Sequence, residues 1–188
     1  MDTEPKIGYF SEDLKRELNM GINSMDVLNG HELKFGEREE IEESEHIQPI
    51  PSAVITDKNR SRVMLIRKNK MKVSKNSPER DKLLMFVGGH VDEVDRKEKL
   101  PKTLENALKR EVREEIGLDI RESGEPFLIY MPNDGHIAVC YILQILNRET
   151  KYELSSSIER AKVVGIEEIE KNKLDPWSKH ILKKISPQ

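Results

Sequence analysis

Residues 110–118 read Arg-Glu-Val-Arg-Glu-Glu-Ile-Gly-Leu, and Gly88-Gly89-His90-Val91 lies upstream of them. Glu111, Glu114 and Glu115 stand at relative positions i, i+3 and i+4, which are neighbours on one face of an α-helix. Three like charges packed that closely repel one another. A hard divalent cation with oxygen ligands would relieve the repulsion. The chemistry to expect is therefore that of a carboxylate-held metal ion acting on an anionic substrate.

A helix must position these groups, and the sequence supplies one. Leu104, Ala107, Leu108, Val112 and Ile116 form an apolar stripe at helical spacing over Leu104–Ile116. Thr103 reads as its N-cap and Gly117 as its C-cap glycine. Glu111 and Glu115 follow Ala107 by four and eight residues, along the edge of the stripe. A carboxylate beside a core-facing seam is costly unless neutralised, which strengthens the metal reading. The competing reading is an ordinary charged surface helix, since Glu and Arg are good helix formers. The glycine pair, Gly117, Leu118 and the apolar run before the glycines all weigh against it.

These residues also carry a resemblance. The segment resembles the Nudix box of the Nudix hydrolases, G-x5-E-x7-R-E-U-x-E-E-x-G-U, with U aliphatic. Arg110 to Leu118 match its second half at every fixed position. In the first half, five residues after Gly89 lead to Asp95 where the family has Glu, and Arg96 to Lys102 (RKEKLPK) read as an insertion into the loop before the helix. Glu93 and Glu98 are alternatives to Asp95 in that role. The resemblance implies an α/β (α+β) fold, an α/β/α sandwich with the box as loop-helix-loop. It also implies Mg²⁺- or Mn²⁺-dependent hydrolysis of a nucleoside diphosphate linked to another moiety. On that basis Glu111, Glu114 and Glu115 match metal-binding glutamates, and the backbone carbonyl of Gly88 matches a further ligand. Glu111 is the candidate base. Arg110 is expected to orient the helix by pairing with a box carboxylate, Asp95 first among them. Glu159, with Glu153 behind it, is a candidate late acid.

Two other functions remain open at this stage. A Nudix domain can serve as a nucleotide-ligand sensor or regulatory module, and only the insertion and Asp95 favour that. Prenyl diphosphate isomerases share the fold but need an active-site Cys, and Cys140 sits in a strand far from a matching motif.

The 188-residue chain suits one domain with a core. We divide it into an N-terminal extension, residues 1–47, and a Nudix domain, residues 48–188. The extension could serve substrate choice or a homodimer interface. The net charge of −3 argues against general nucleic-acid binding. The single cysteine excludes an intrachain disulfide, and its apolar neighbours suggest a buried thiol. With no apolar run of membrane-spanning length and a polar start, MDTEPK, no membrane association and a cytoplasmic setting are expected.

Charge is uneven along the chain. Residues 37–45 (EREEIEESE) are acidic, while residues 57–82 hold ten Lys or Arg against three acids. Both can be solvated surface. The basic stretch runs into the strand before the glycines, so Arg67 is the candidate for the substrate's charge. His90 and His136 could touch substrate, although a lone His is more often structural. Tyr130, Tyr141 and Trp177 could stack on a base, with core packing the commoner role.

Strands are expected at Ser52–Thr56, Arg62–Lys68, Leu83–Val87, Phe127–Met131, His136–Leu146 and Ala161–Ile166. A Pro132-Asn133-Asp134-Gly135 turn joins the fourth to the fifth. Ser11 reads as the cap of a short helix over Glu12–Asn19, and Asp175-Pro176-Trp177 as the start of a closing helix.

Overall fold

The computed structural model describes residues 5–73, 77, 79–121, 123–132, 135–147 and 149–186. Its organising element is β4 (Gln48–Asp57), buried along nearly its whole length. β4 pairs in parallel with β8 (His136–Leu146) and antiparallel with β5 (Arg62–Lys68) and with the two-residue β6 (Val87–Gly88). β8 pairs antiparallel with β7 (Phe127–Tyr130), and β5 with β9 (Ile158–Gly165). With β2 (Gly21–Asn23) at one edge, the seven-stranded sheet runs β2-β7-β8-β4-β5-β9, with β6 also on β4. The Asn133-Asp134 part of the expected turn lies outside the described residues. Gly135, at φ +68°, closes into β8.

The edge strand β2 (Gly21–Asn23) comes from the N-terminal residues, as do β1 (Ile7–Tyr9) and β3 (Lys34–Gly36), which pair with each other. Phe10, Leu14 and Leu28 share the main core. The helix expected over Glu12–Asn19 is a shorter 3-10 turn, Glu12–Arg16, capped by Ser11. Its buried residue is Leu14, and Asn19 instead bonds Asn23, the last residue of the edge strand.

The box helix, α2 (Leu100–Ile116), begins earlier than the stripe indicates. Leu100-Pro101-Lys102 form its first turn rather than a loop. Proline is accepted there because the first N–H groups have no helical partner. Thr103 is inside the helix, buried, where its hydroxyl accepts from Lys97 N (2.9 Å). The stripe itself is as expected: Leu104, Ala107, Leu108, Val112 and Ile116 are fully buried. Gly117 ends the helix in the left-handed conformation, φ +69°, with its N–H on Arg113 O. α2 packs on β4 and β6. α3 (Pro176–Ile185), capped by Asp175, packs on β2 and β7.

Candidate active site

α2 and the strand end before it meet at the glycine pair. A Cβ on Gly88 would lie 2.0 Å from Pro51 O on the neighbouring strand, so only glycine lets β6 pair this closely. A Cβ on Gly89 would lie 2.5–2.6 Å from all three carboxyl atoms of Glu111. The missing side chain at Gly89 is thus the space that the Glu111 carboxylate uses.

Arg110 organises the other side. Asp95, only 2% exposed, accepts from Arg110 Nε (3.1 Å) and Nη2 (2.8 Å) and also receives Asp92 N (2.9 Å). Glu93 and Glu98 are exposed, so Asp95 alone of the three carboxylates considered meets Arg110. Arg110 also donates to Glu111 Oε1 (2.7 Å), Glu114 Oε2 (3.2 Å) and the His90 carbonyl (2.9 Å). Burial disfavours the guanidinium charge, but Asp95 and Glu111 outweigh it and raise the Arg110 pKa above its usual value. The three helix glutamates differ in setting. Glu111 and Glu115 side chains are 13% and 12% exposed, whereas Glu114 is 58% exposed.

Burial pushes the Glu111 pKa up to about 7; Arg110 opposes the rise, and Glu115 and Glu114 add to it. Its Oε2 accepts no hydrogen bond among the described residues. Glu115 is held from β5: Lys68 Nζ donates to both its oxygens (2.8 Å each), and Ser157 Oγ to Oε1 (2.9 Å). Strand alternation decides which cation arrives, since Arg67 and Lys68 are neighbours on β5 and face opposite sides. The register shift beside them leaves the extra residue, Glu159, on β9 and not on β5. Lys68 therefore lines the cleft, while Arg67 lies opposite Arg160 outside it. Ser157 is delivered by a loop clamped to the end of α2, through Ser155 N to Glu115 O and Glu153 N to Ile116 O (2.9 Å each).

These groups line a cleft of about 800 Å³, with Arg38, Gln48, His90, His136 and Trp177 on its other walls. His90 is inward and bonded to protein: its Nε2 meets Gln48 Oε1 (3.0 Å) and its Nδ1 meets Arg38 Nη2 (3.3 Å). Burial first, then Arg38 and His136, lower its pKa to about 4. Glu153 and Glu159 are exposed and do not line the cleft. The aromatic candidates Tyr130, Tyr141 and Trp177 are all core residues, and Trp177 also lines the cleft. Cys140 is fully buried, which pushes its thiol pKa far up. Lys68, Ser157, Arg38 and Gln48 carry no local sequence signal. Each reaches the site across 42 or more residues.

Among the described residues no three His, Cys, Asp or Glu side chains converge as a metal-ligand cluster. The donor set nevertheless fits a hard dication. Glu111 is a largely buried carboxylate with a free oxygen, seated against Gly89. Glu115 lies one turn on, now neutralised by Lys68. Carboxylate and carbonyl oxygens are what Mg²⁺ and Mn²⁺ take.

The comparisons agree with this architecture. Over 96% of this chain and 97% of the other, the fold is similar to that of Tm1382, a candidate Nudix hydrolase, at 20% identity and TM-score 0.69. That overlap takes in the N-terminal residues. The MutT Nudix hydrolase of Burkholderia pseudomallei (18% identity, TM-score 0.55) and the MutT protein of Methanosarcina mazei (16%, 0.54) each cover 74% of this chain. They are covered over 98% and 92% of their own lengths. The sequence matches none of the curated proteins compared with it. The sequence model of the NUDIX domain matches residues 46–185. With a box of matching residues on a helix of matching fold, the chain belongs to the Nudix family.

Proposed function

We propose that the protein is a Mg²⁺- or Mn²⁺-dependent hydrolase that cleaves the diphosphate linkage of a nucleoside diphosphate joined to another moiety. The observation that carries this reading is the largely buried Glu111 carboxylate, one turn from Glu115, facing a cleft that also holds Lys68.

Glu111, Glu115 and the Gly88 carbonyl would hold the cation, with Glu114 on the solvent side. A bound dication supplies Lewis acidity, neutralising diphosphate oxygens and lowering the pKa of water. Glu111 has an attribute of a general base, an oxygen free to take a proton beside the cation. Arg110 fixes the Glu111 carboxylate from one side and is itself fixed by buried Asp95. It is a positioning residue. Lys68 neutralises Glu115 in the metal-free protein, and a cation taking Glu115 would leave its ammonium for a phosphate oxygen. No geometric feature favours the sensor reading.

The reading extends to a soluble small-molecule substrate, a cytoplasmic setting, which the lone thiol of Cys140 suits, and no general nucleic-acid partner. No described helix is long and apolar enough to cross a membrane. We assign catalysis to residues 48–188 and one cleft wall to residues 1–47, which could also support a homodimer.

The test is a turnover screen with Mg²⁺ or Mn²⁺ over nucleoside triphosphates, ADP-ribose, NADH, nucleotide sugars and dinucleoside polyphosphates. Products are read by mass spectrometry, with Glu115→Gln as control. Metal-dependent cleavage at a diphosphate, lost in the variant, is the expected result. Cleavage that persists in the variant contradicts the assignment.

A further inference from the structure

One wall of the cleft comes from the N-terminal residues and plays no part in holding the glutamates. The short helix α1 (Arg38–Glu42) carries it. Gly36 lets α1 settle closely, since a Cβ there would lie 2.9 Å from the Ile41 side chain. Ile41 is buried, and its carbonyl accepts from Gln48 Nε2 (3.5 Å). This seating sets Arg38 at the cleft.

Arg38 is held in place yet not saturated. Its Nε donates to Glu42 (2.8 Å), and one Nη2 proton goes to His90 Nδ1 (3.3 Å). Because Nδ1 accepts, the His90 proton sits on Nε2 and is donated to Gln48 Oε1 (3.0 Å). The ring is thereby fixed in one tautomer from both sides. A guanidinium has five N–H donors, and the remaining ones on Arg38 have no protein acceptor among the described residues. Its side chain is 37% exposed. Of the other cations lining the cleft, Arg110 is committed to Asp95 and the box glutamates and Lys68 to Glu115, while Lys72 is exposed and unlike Arg38 has no side-chain contact among the described residues to hold it in place. A planar fork with spare donors, held from behind, is suited to bidentate phosphate recognition.

We propose that Arg38 is a specificity-determining residue that binds a phosphate of the substrate beyond the scissile diphosphate, with His90 and Gln48 as its positioning residues. The proposal rests on the hydrolase reading for where the diphosphate lies. The His90 carbonyl accepts from Arg110 Nη2 (2.9 Å) while its ring meets Arg38, so a single histidine separates this guanidinium from the glutamate cluster. The preferred substrates then carry a third phosphate, and conjugates whose second moiety is neutral bind less well.

The test is calorimetric binding, to the full chain at saturating Mg²⁺, of methylene-bridged nucleoside triphosphate and diphosphate analogues that resist hydrolysis. The wild type is expected to favour the triphosphate on the order of tenfold, the value of one charge-assisted contact. Arg38→Met removes that preference and leaves diphosphate affinity unchanged. His90→Ala weakens triphosphate binding alone. His90→Asn, whose side-chain oxygen can replace Nδ1 as acceptor, restores it. Equal wild-type binding of the two analogues, no binding of either, or a preference that survives Arg38→Met overturns the proposal. Turnover separates the two claims. Metal-dependent hydrolysis with a preference untouched by Arg38→Met defeats this inference alone. An Arg38-dependent preference without hydrolysis of any screened substrate defeats the hydrolase reading alone.

Discussion

Two largely buried groups beside Gly89, Glu111 and His90, should give the metal-free protein opposing pH dependences. Glu111 has its folded pKa raised from 4.5 to about 7, chiefly by burial. Its contribution is complete below pH 4.5, where both folded and unfolded chains hold the proton. It is lost as pH rises through 7, because the unfolded chain releases its proton first. His90 has its folded pKa lowered from 6.5 to about 4, again chiefly by burial. Its contribution is complete above 6.5 and lost as pH falls through 4, because the unfolded chain takes up a proton first. At about 1.4 kcal/mol per pH unit, each span is worth about 3 kcal/mol, as an order of magnitude. Between pH 4.5 and 6.5 the two slopes nearly cancel.

The perturbation is Glu111→Gln, and the assay is urea unfolding at pH 4 to 7.5 with chelator present. Relative to the wild type, the variant should gain stability as pH rises across the window, by about 3 kcal/mol in total. The slope left behind is that of His90. His90→Asn should do the reverse, falling in stability from pH 4.5 to 7. Parallel pH profiles for wild type and Glu111→Gln would refute the reasoning, because they would mean that Glu111 titrates alike in folded and unfolded chains.

Further outcomes follow from the same contacts. Gly88→Ala should cost about 3 kcal/mol or more in thermal denaturation, since a Cβ 2.0 Å from a backbone oxygen cannot be accommodated by side-chain movement. Gly89→Ala should instead displace the Glu111 carboxylate, with metal affinity in a Mn²⁺ titration falling more than stability. Asp95→Ala removes the buried partner of Arg110 and should destabilise the fold by about 3 kcal/mol in denaturant titration. Lys68→Met removes the cation that competes for Glu115 and should tighten Mg²⁺ binding on the order of tenfold by calorimetry.

What was legible in the sequence was what depends on local pattern. The five-residue stripe of α2, the left-handed Gly117 and the span of β8 follow from period, cap chemistry and β-branched content. The pairing of Arg110 with a box carboxylate was legible through the resemblance to the Nudix box. The start of α2 was not, since Pro101 is as much at home in a helix's first turn as in a loop. Choosing Arg67 over Lys68 failed for a different reason. On a strand one residue decides the face, and which face of β5 meets the cleft depends on how the sheet packs against α2. Arg38 and Gln48 were invisible because each meets His90 across more than 40 residues. The N-terminal strands are three residues long, too short to show a period.

The central claim is that Glu111 and Glu115 hold the cation that drives diphosphate cleavage. The most direct test is the single-turnover rate on a substrate from the screen at saturating Mg²⁺, for the wild type, Glu111→Gln and Glu115→Gln, each shown folded by denaturation. The account predicts rates reduced by at least about 10²-fold in both variants, the usual range for lost acid–base or metal-holding groups. Rates within twofold of the wild type in both would contradict it.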